Sequence, residues 1–167
     1  MKFTKVLFFS TSFTAGVFLI AGSLMFAQDK KISEKEAPKA VLNSFHMTYP
    51  KAVIKGMSTE TEKGKAYFEI ESIDGNVKRD LLFTSAGKIA EIEETISTDG
   101  LPKVSIPMIE NKIPGAKVKS AEKVTRGSNV TYELAVTGKK GKFEVVLNKE
   151  GKIIKSQKVS NKESSED

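Results

Sequence analysis

Hydrophobic and polar positions change period along this chain in a fixed order. Val41, Leu42, Phe45 and Tyr49 recur at the three-to-four spacing of a helix face. Pro50 ends that run, because proline has no amide donor and pushes the residue before it out of the helical region. Beyond it the period drops to two. Ala52 and Ile54 open a short strand; Ala66, Phe68 and Ile70 alternate with Tyr67, Glu69 and Glu71; Leu81 and Phe83 flank Leu82. Asp74-Gly75-Asn76 turns the second strand into the third, and Gly87 precedes a fourth, residues 88–95.

The same order returns at an offset of 64 residues without a gap. Pro38-Lys39 recurs as Pro102-Lys103, Pro50-Lys51-Ala52 as Pro114-Gly115-Ala116, Phe68-Glu69-Ile70 as Tyr132-Glu133-Leu134, and Gly87-Lys88-Ile89 as Gly151-Lys152-Ile153. Between 38–97 and 102–161, 11 of 60 aligned positions are identical, against about four expected from ordinary residue usage. The second helix face, Val104, Ile106, Ile109 and Ile113, is a looser version of the first. The pattern predicts an α+β fold of two tandem repeats, each a helix packed on a four-stranded antiparallel β-sheet. Units this short bury a limited core alone. Joining their sheets edge to edge removes exposed edges from both, and is the arrangement favoured.

The N-terminus has a different pattern. Lys2 and Lys5 precede an apolar run over 6–27, and Gln28-Asp29-Lys30-Lys31 returns abruptly to polarity. This is the order of a secretory signal, so 1–27 is expected to direct export to the periplasm or the exterior, with cleavage after Ser23 or Ala27. The run is also long enough to cross a bilayer, so an uncleaved anchor stays open as the alternative, and with it membrane contact. Residues 28–37 read as a solvated linker and 162–167 as a disordered tail.

Composition narrows the function more than it defines it. The formal charge is +6 and Lys2 and Lys5 belong to the leader, leaving +4 spread as single lysines beside acids. A nucleic-acid partner would call for a basic face interleaved with stacking aromatics, and neither is present. The chain has no cysteine and one histidine, so disulfides, a lipid-modified cysteine, zinc sites and nucleophile–base pairs lack their residues. His46 reads as a helix-surface histidine. Glu91, Glu93 and Glu94 have the oppositely charged or neutral counterparts Lys155, Gln157 and Lys158, and both sets read as solvated edges attracting each other between units. No catalytic residue, metal site or cofactor is predicted.

Phe45-His46-Met47-Thr48-Tyr49-Pro50-Lys51-Ala52, then Tyr67-Phe68-Glu69-Ile70, then Asp80-Leu81-Leu82-Phe83-Thr84-Ser85-Ala86-Gly87-Lys88-Ile89 resemble the PepSY-like domain, related in shape to tandem β-lactamase-inhibitor proteins. The resemblance covers 38–97 well and 102–161 more weakly, where Ile113-Pro114-Gly115-Ala116 replaces the Tyr-Pro form; the tryptophan frequent in the family's first strand is missing. It implies an exported protein without catalytic activity, acting by protein binding or inhibition.

Surface then carries the function. Alternation directs Tyr67, Glu69 and Leu82, and Glu133 and Val146, away from the helices. With Val53 they are expected to form a modest apolar contact patch with an acidic rim on the open sheet face, facing an extracytoplasmic protein such as a hydrolase. The alternative function is a structural envelope protein held by the uncleaved leader.

Overall fold

The computed structural model describes residues 30–62 and 64–159; the leader and the tail lie outside them. Nine strands run in simple succession: β1 (Lys30–Lys31), β2 (Val53–Glu62), β3 (Lys65–Asp74), β4 (Val77–Phe83), β5 (Ile89–Ile96), β6 (Lys117–Arg126), β7 (Asn129–Gly138), β8 (Gly141–Asn148) and β9 (Ile153–Lys158). Each pairs antiparallel with the next, giving one nine-stranded sheet in the order of the sequence. Helix α1 (Lys39–Thr48) precedes β2 and α2 (Ser105–Lys112) precedes β6.

The expectation of two tandem repeats, each a helix packed on a four-stranded antiparallel sheet, is corrected: β5 pairs with β6, and the strands form one nine-stranded sheet. Ile92 lies opposite Thr125, Glu93 opposite Val124 and Ile96 opposite Ala121. Unpaired β5 and β6 edges would leave rows of amides and carbonyls to water; pairing satisfies both at once and produces a single open sheet, the edge-to-edge joining favoured above. The sheet also gains a ninth strand. Within the stretch expected as a linker, Lys30 and Lys31 pair with Thr59 and Ser58, Ile32 packs on the core and Ala37 is buried.

Local geometry follows the sequence closely. Tyr49 caps α1 with φ −126° and ψ 66°, and Ile113 caps α2 with φ −122° and ψ 95°, both driven from helical values by the proline that follows. Register shifts fall at Ile54/Gly56 and Leu82/Phe83, and 64 residues on at Val118/Ser120 and Val146/Leu147. The turn before β5 is closed by Gly87 N–H donating to the Thr84 carbonyl at 2.8 Å, and that before β9 by Gly151 N–H to the Asn148 carbonyl at 2.9 Å.

Both helices lie on the same side of the sheet, over separate apolar clusters. Val41 and Phe45 of α1 meet Met57, Ile70, Leu81 and Phe83. Ile109 of α2, with Leu101 and Ile113, meets Ala121, Leu134, Val136, Val145 and Leu147. The buried stripe of α2 is therefore not the expected one. Ser105 is buried and Val104 is exposed, because the α2 face in contact with the sheet runs Leu101, Ser105, Ile109, Ile113 at intervals of four. On the helix side of the β5–β6 seam, Glu94 opposite Lys123 lies between Ile92 opposite Thr125 and Ile96 opposite Ala121, and Ile96 of β5 packs against the α2 cluster.

Candidate functional site

The other side of the sheet has no second layer among the described residues. Strand register decides what it displays. Glu69 sits directly opposite Leu82 and Glu133 directly opposite Val146, so these four predicted residues form two adjacent pairs, on β3–β4 and on β7–β8. Tyr67 lies two residues from Glu69 on the same face, opposite Glu60, and is half-buried. Val53 is at the other end of β2, opposite Ile73 and 55% exposed. The six do not make one continuous apolar patch, since acidic strands separate the Glu69–Leu82 pair from the Glu133–Val146 pair. Leu82 itself is only 9% exposed and offers little contact area.

What occupies the middle of the face is carboxylate. Glu71, Asp80 and Glu93 form a direct row across β3, β4 and β5, and Glu122 lies opposite Glu133. Like charges placed directly opposite one another repel. Asp80, Glu93, Glu122 and Glu133 hold their protons more tightly than ordinary carboxyls. Burial raises the Asp80 carboxyl to about 6, with the charges of Glu69, Glu71 and Glu122 adding to it and Lys78 opposing. Glu93 is raised further, first by burial and then by a hydrogen bond with Glu91 and its charge. A protonated Glu93 adds no charge against Asp80. Glu122 and Glu133 are raised as well, chiefly by burial.

Two acids on this face have dedicated partners. The Arg126 guanidinium donates to both oxygens of Glu91, through Nε to Oε2 and through Nη2 to Oε1 at 2.7 Å; Glu91 is 4% exposed. This bidentate contact ties β5 to β6. Ser58 Oγ donates to Glu69 Oε2 at 2.6 Å. The expectation that Glu91, Glu93 and Glu94 form a solvated edge facing Lys155 and Lys158 is thus corrected. The β5–β6 pairing places β5 in mid-sheet, β9 is the far edge, and Glu94 turns to the helix side, where it accepts from Arg79 Nε at 2.9 Å. Sequence reasoning missed the cluster because its signal, acids opposed across strands, exists only once register is known.

The remaining candidates are peripheral. His46 is exposed on α1, its ring edge-on to Phe45 with centroids 5.3 Å apart. Among the described residues no group of three or more His, Cys, Asp or Glu is placed to hold a metal ion, and no helix is long and apolar enough to cross a membrane.

No family model and no curated protein matches this sequence. Solved structures do. A candidate periplasmic protein from Bacteroides eggerthii superposes with a TM-score of 0.62 over 75% of this chain and 91% of its own, at 15% identity. A DUF2874 family protein from Bacteroides uniformis gives 0.60 over 72% and 88%, also at 15% identity. A BLIP-like protein from Bacteroides fragilis gives 0.58 over 78% and 92%, at 12% identity. The fold is BLIP-like. In this BLIP-like fold the uncovered sheet face carries the carboxylate rows, and both helices lie behind it.

Proposed function

We propose that this is an exported, non-enzymatic protein that binds another extracytoplasmic protein through its open sheet face. The observation that carries the proposal is the face itself: a sheet surface without a second layer, on which side chains are held in fixed register by pairing on both sides. Half-buried Tyr67 and Val146 and exposed Val53 supply apolar contact, and the carboxylates between them supply the acidic surround of a partner carrying basic groups. The order of charge and hydrophobicity in residues 1–31 supports export, as do neighbours of the same fold described as candidate periplasmic proteins. A hydrolase is one partner class this reading admits, in keeping with the BLIP-like neighbour.

The test is capture from an extracytoplasmic extract with wild-type protein and with Tyr67→Ala/Val146→Ala. The double variant is expected to lose the prey that wild type retains while its thermal midpoint falls by about 5 °C or less. Equal recovery of the same prey by both proteins overturns the assignment of this face.

A further inference from the structure

The 64-residue offset makes β5 and β9 equivalent strands, and only β5 has a neighbour on its outer side. β5 pairs with β6, whereas β9 ends the sheet. The opposite border is closed in part by the chain itself, since β1 pairs with Ser58 and Thr59 of β2; among the described residues no strand does this for β9. Val159 N–H donates to the Lys142 carbonyl at 2.9 Å, so the alternate residues Ser156 and Lys158 turn their amides and carbonyls away from β8. Their equivalents on β5, Ile92 and Glu94, are paired with Thr125 and Lys123 of β6.

The β5–β6 seam shows what such an edge accepts. It takes an antiparallel strand whose charge matches on both faces of the sheet. Glu94, bonded by Arg79, lies opposite Lys123 on the helix side, and Glu91 accepts from Arg126 on the open side. Lys123 and Arg126 are three residues apart, so on an extended strand they address opposite faces. On β9 the positions of Glu94 and Glu91 hold Lys158 and Lys155. Register repeats as well: Lys158 is opposite Phe143 and Lys155 opposite Val146, as Glu94 is opposite Arg79 and Glu91 opposite Leu82.

Both lysines are exposed. The Lys158 stem lies beside Gly141, where an added Cβ would stand 3.2 Å from its Cε, and Lys155 lends charge to Glu133. Residues 152–159 hold three lysines and no acid, so two copies of β9 repel, a common protection of sheet edges. The same charge attracts a strand of opposite sign.

We propose that β9 is a docking edge for an extended acidic segment of another protein. The segment pairs antiparallel with Ser156 and Lys158 as a further strand, and sets one carboxylate against Lys158 and a second, three residues later, against Lys155. This border lies apart from the open face, so the inference does not depend on the reading of that face. Glu163 and Glu166 of the chain itself have the same spacing. A reversal bringing them back to β9 would fall on Ser160-Asn161, whereas each described hairpin turns on a glycine of positive φ.

The test titrates isotope-labelled full-length protein with the capped peptide Thr-Val-Glu-Val-Thr-Glu-Val-Thr, and with the same peptide carrying lysine for both glutamates. At ten times its Kd the acidic peptide is expected to slow hydrogen exchange of the Ser156 and Lys158 amides about tenfold, and the lysine peptide to bind at least about tenfold more weakly. Lys155→Glu/Lys158→Glu should invert the preference. Equal binding of the two peptides by wild type, resonance shifts on the open face instead of β9, or a charge-reversed variant that refuses the lysine peptide overturns the proposal. Two further results overturn the assignment to another protein. Binding only after removal of residues 160–167 gives the edge to the chain's own acids, and protection that grows with protein concentration without peptide gives it to a second copy.

Discussion

Single residues decide how closely the helices sit on the sheet, and the two glycines that precede β5 and β9 show how. Gly87 has φ +79° and Gly151 φ +83°, values that side chains rarely adopt. Space is closed as well. A Cβ at Gly87 would drive into the Ala40 carbonyl at the start of α1, and one at Gly151 would lie 2.5 Å from Ser105 Oγ and 2.8 Å from Pro102 Cβ at the start of α2. Gly75 provides the contrast, with φ +60° and nothing within 4 Å of an added Cβ. Gly75→Ala should therefore cost about 1 kcal/mol, the conformational term alone, whereas Gly87→Ala should cost about 3 kcal/mol or more, because a helix must also back away from its cluster. Denaturant midpoints measure both. Equal costs would mean that the helix yields freely and that only the backbone angle matters. The sequence marks both glycines through the shared Gly-Lys-Ile, but Ser105 in place of the buried Val41 was not legible. Its hydroxyl is buried without a partner, and a polar residue on a helix face reads as solvent-facing until packing is seen.

At the scale of elements, the helices and strands β2 to β9 and their order could be read from period and punctuation, since alternation, prolines and glycine turns act locally, whereas β1 lay in the stretch read as a linker. The meeting of β5 and β6 could not be read that way. It depends on which edges find each other, and the same sequence pattern suits two sheets or one. Once they meet, Glu91 and Arg126 clamp the seam on the open face, while Ile96 of β5 packs against the α2 cluster on the helix side. Arg126→Met leaves a 4% exposed carboxylate without its bidentate partner. Breaking a buried pair costs about 3–5 kcal/mol; because the Arg126 side chain is 42% exposed, screening brings the expected loss to about 2 kcal/mol. Glu91→Gln in the same background should recover most of it, since no charge is then left without a partner. Equilibrium unfolding of the three variants checks this. A loss below about 0.5 kcal/mol for Arg126→Met would show that the seam is held without the clamp, by backbone pairing and the packing of Ile96.

Across the whole molecule, a chain with a positive formal balance gathers its opposed acids on one face, and the consequence is a stability that depends on pH in an unusual direction. In the unfolded chain Asp80 titrates at its ordinary value of 3.8, and in the folded protein near 6. The folded state thus holds the proton more tightly. Its contribution to stability is fully present below pH 4 and is lost as pH rises through 6. Glu93, Glu122 and Glu133 are displaced in the same direction, so they extend the loss to higher pH; the lowered Glu36 carboxyl, bonded by Ser33, works the other way at an exposed turn. Two pH units at 1.36 kcal/mol each set a ceiling near 3 kcal/mol for Asp80, and its partial exposure reduces this to about 1–2 kcal/mol. Thermal unfolding should therefore give a higher midpoint at pH 5 than at pH 8, and Asp80→Asn should flatten the fall between pH 4 and pH 6 while raising the midpoint at pH 7. A wild-type midpoint that climbs from pH 5 to pH 8 would sink the argument, because it would mean that the row ionises without cost and that charge on this face is already neutralised by the sheet around it.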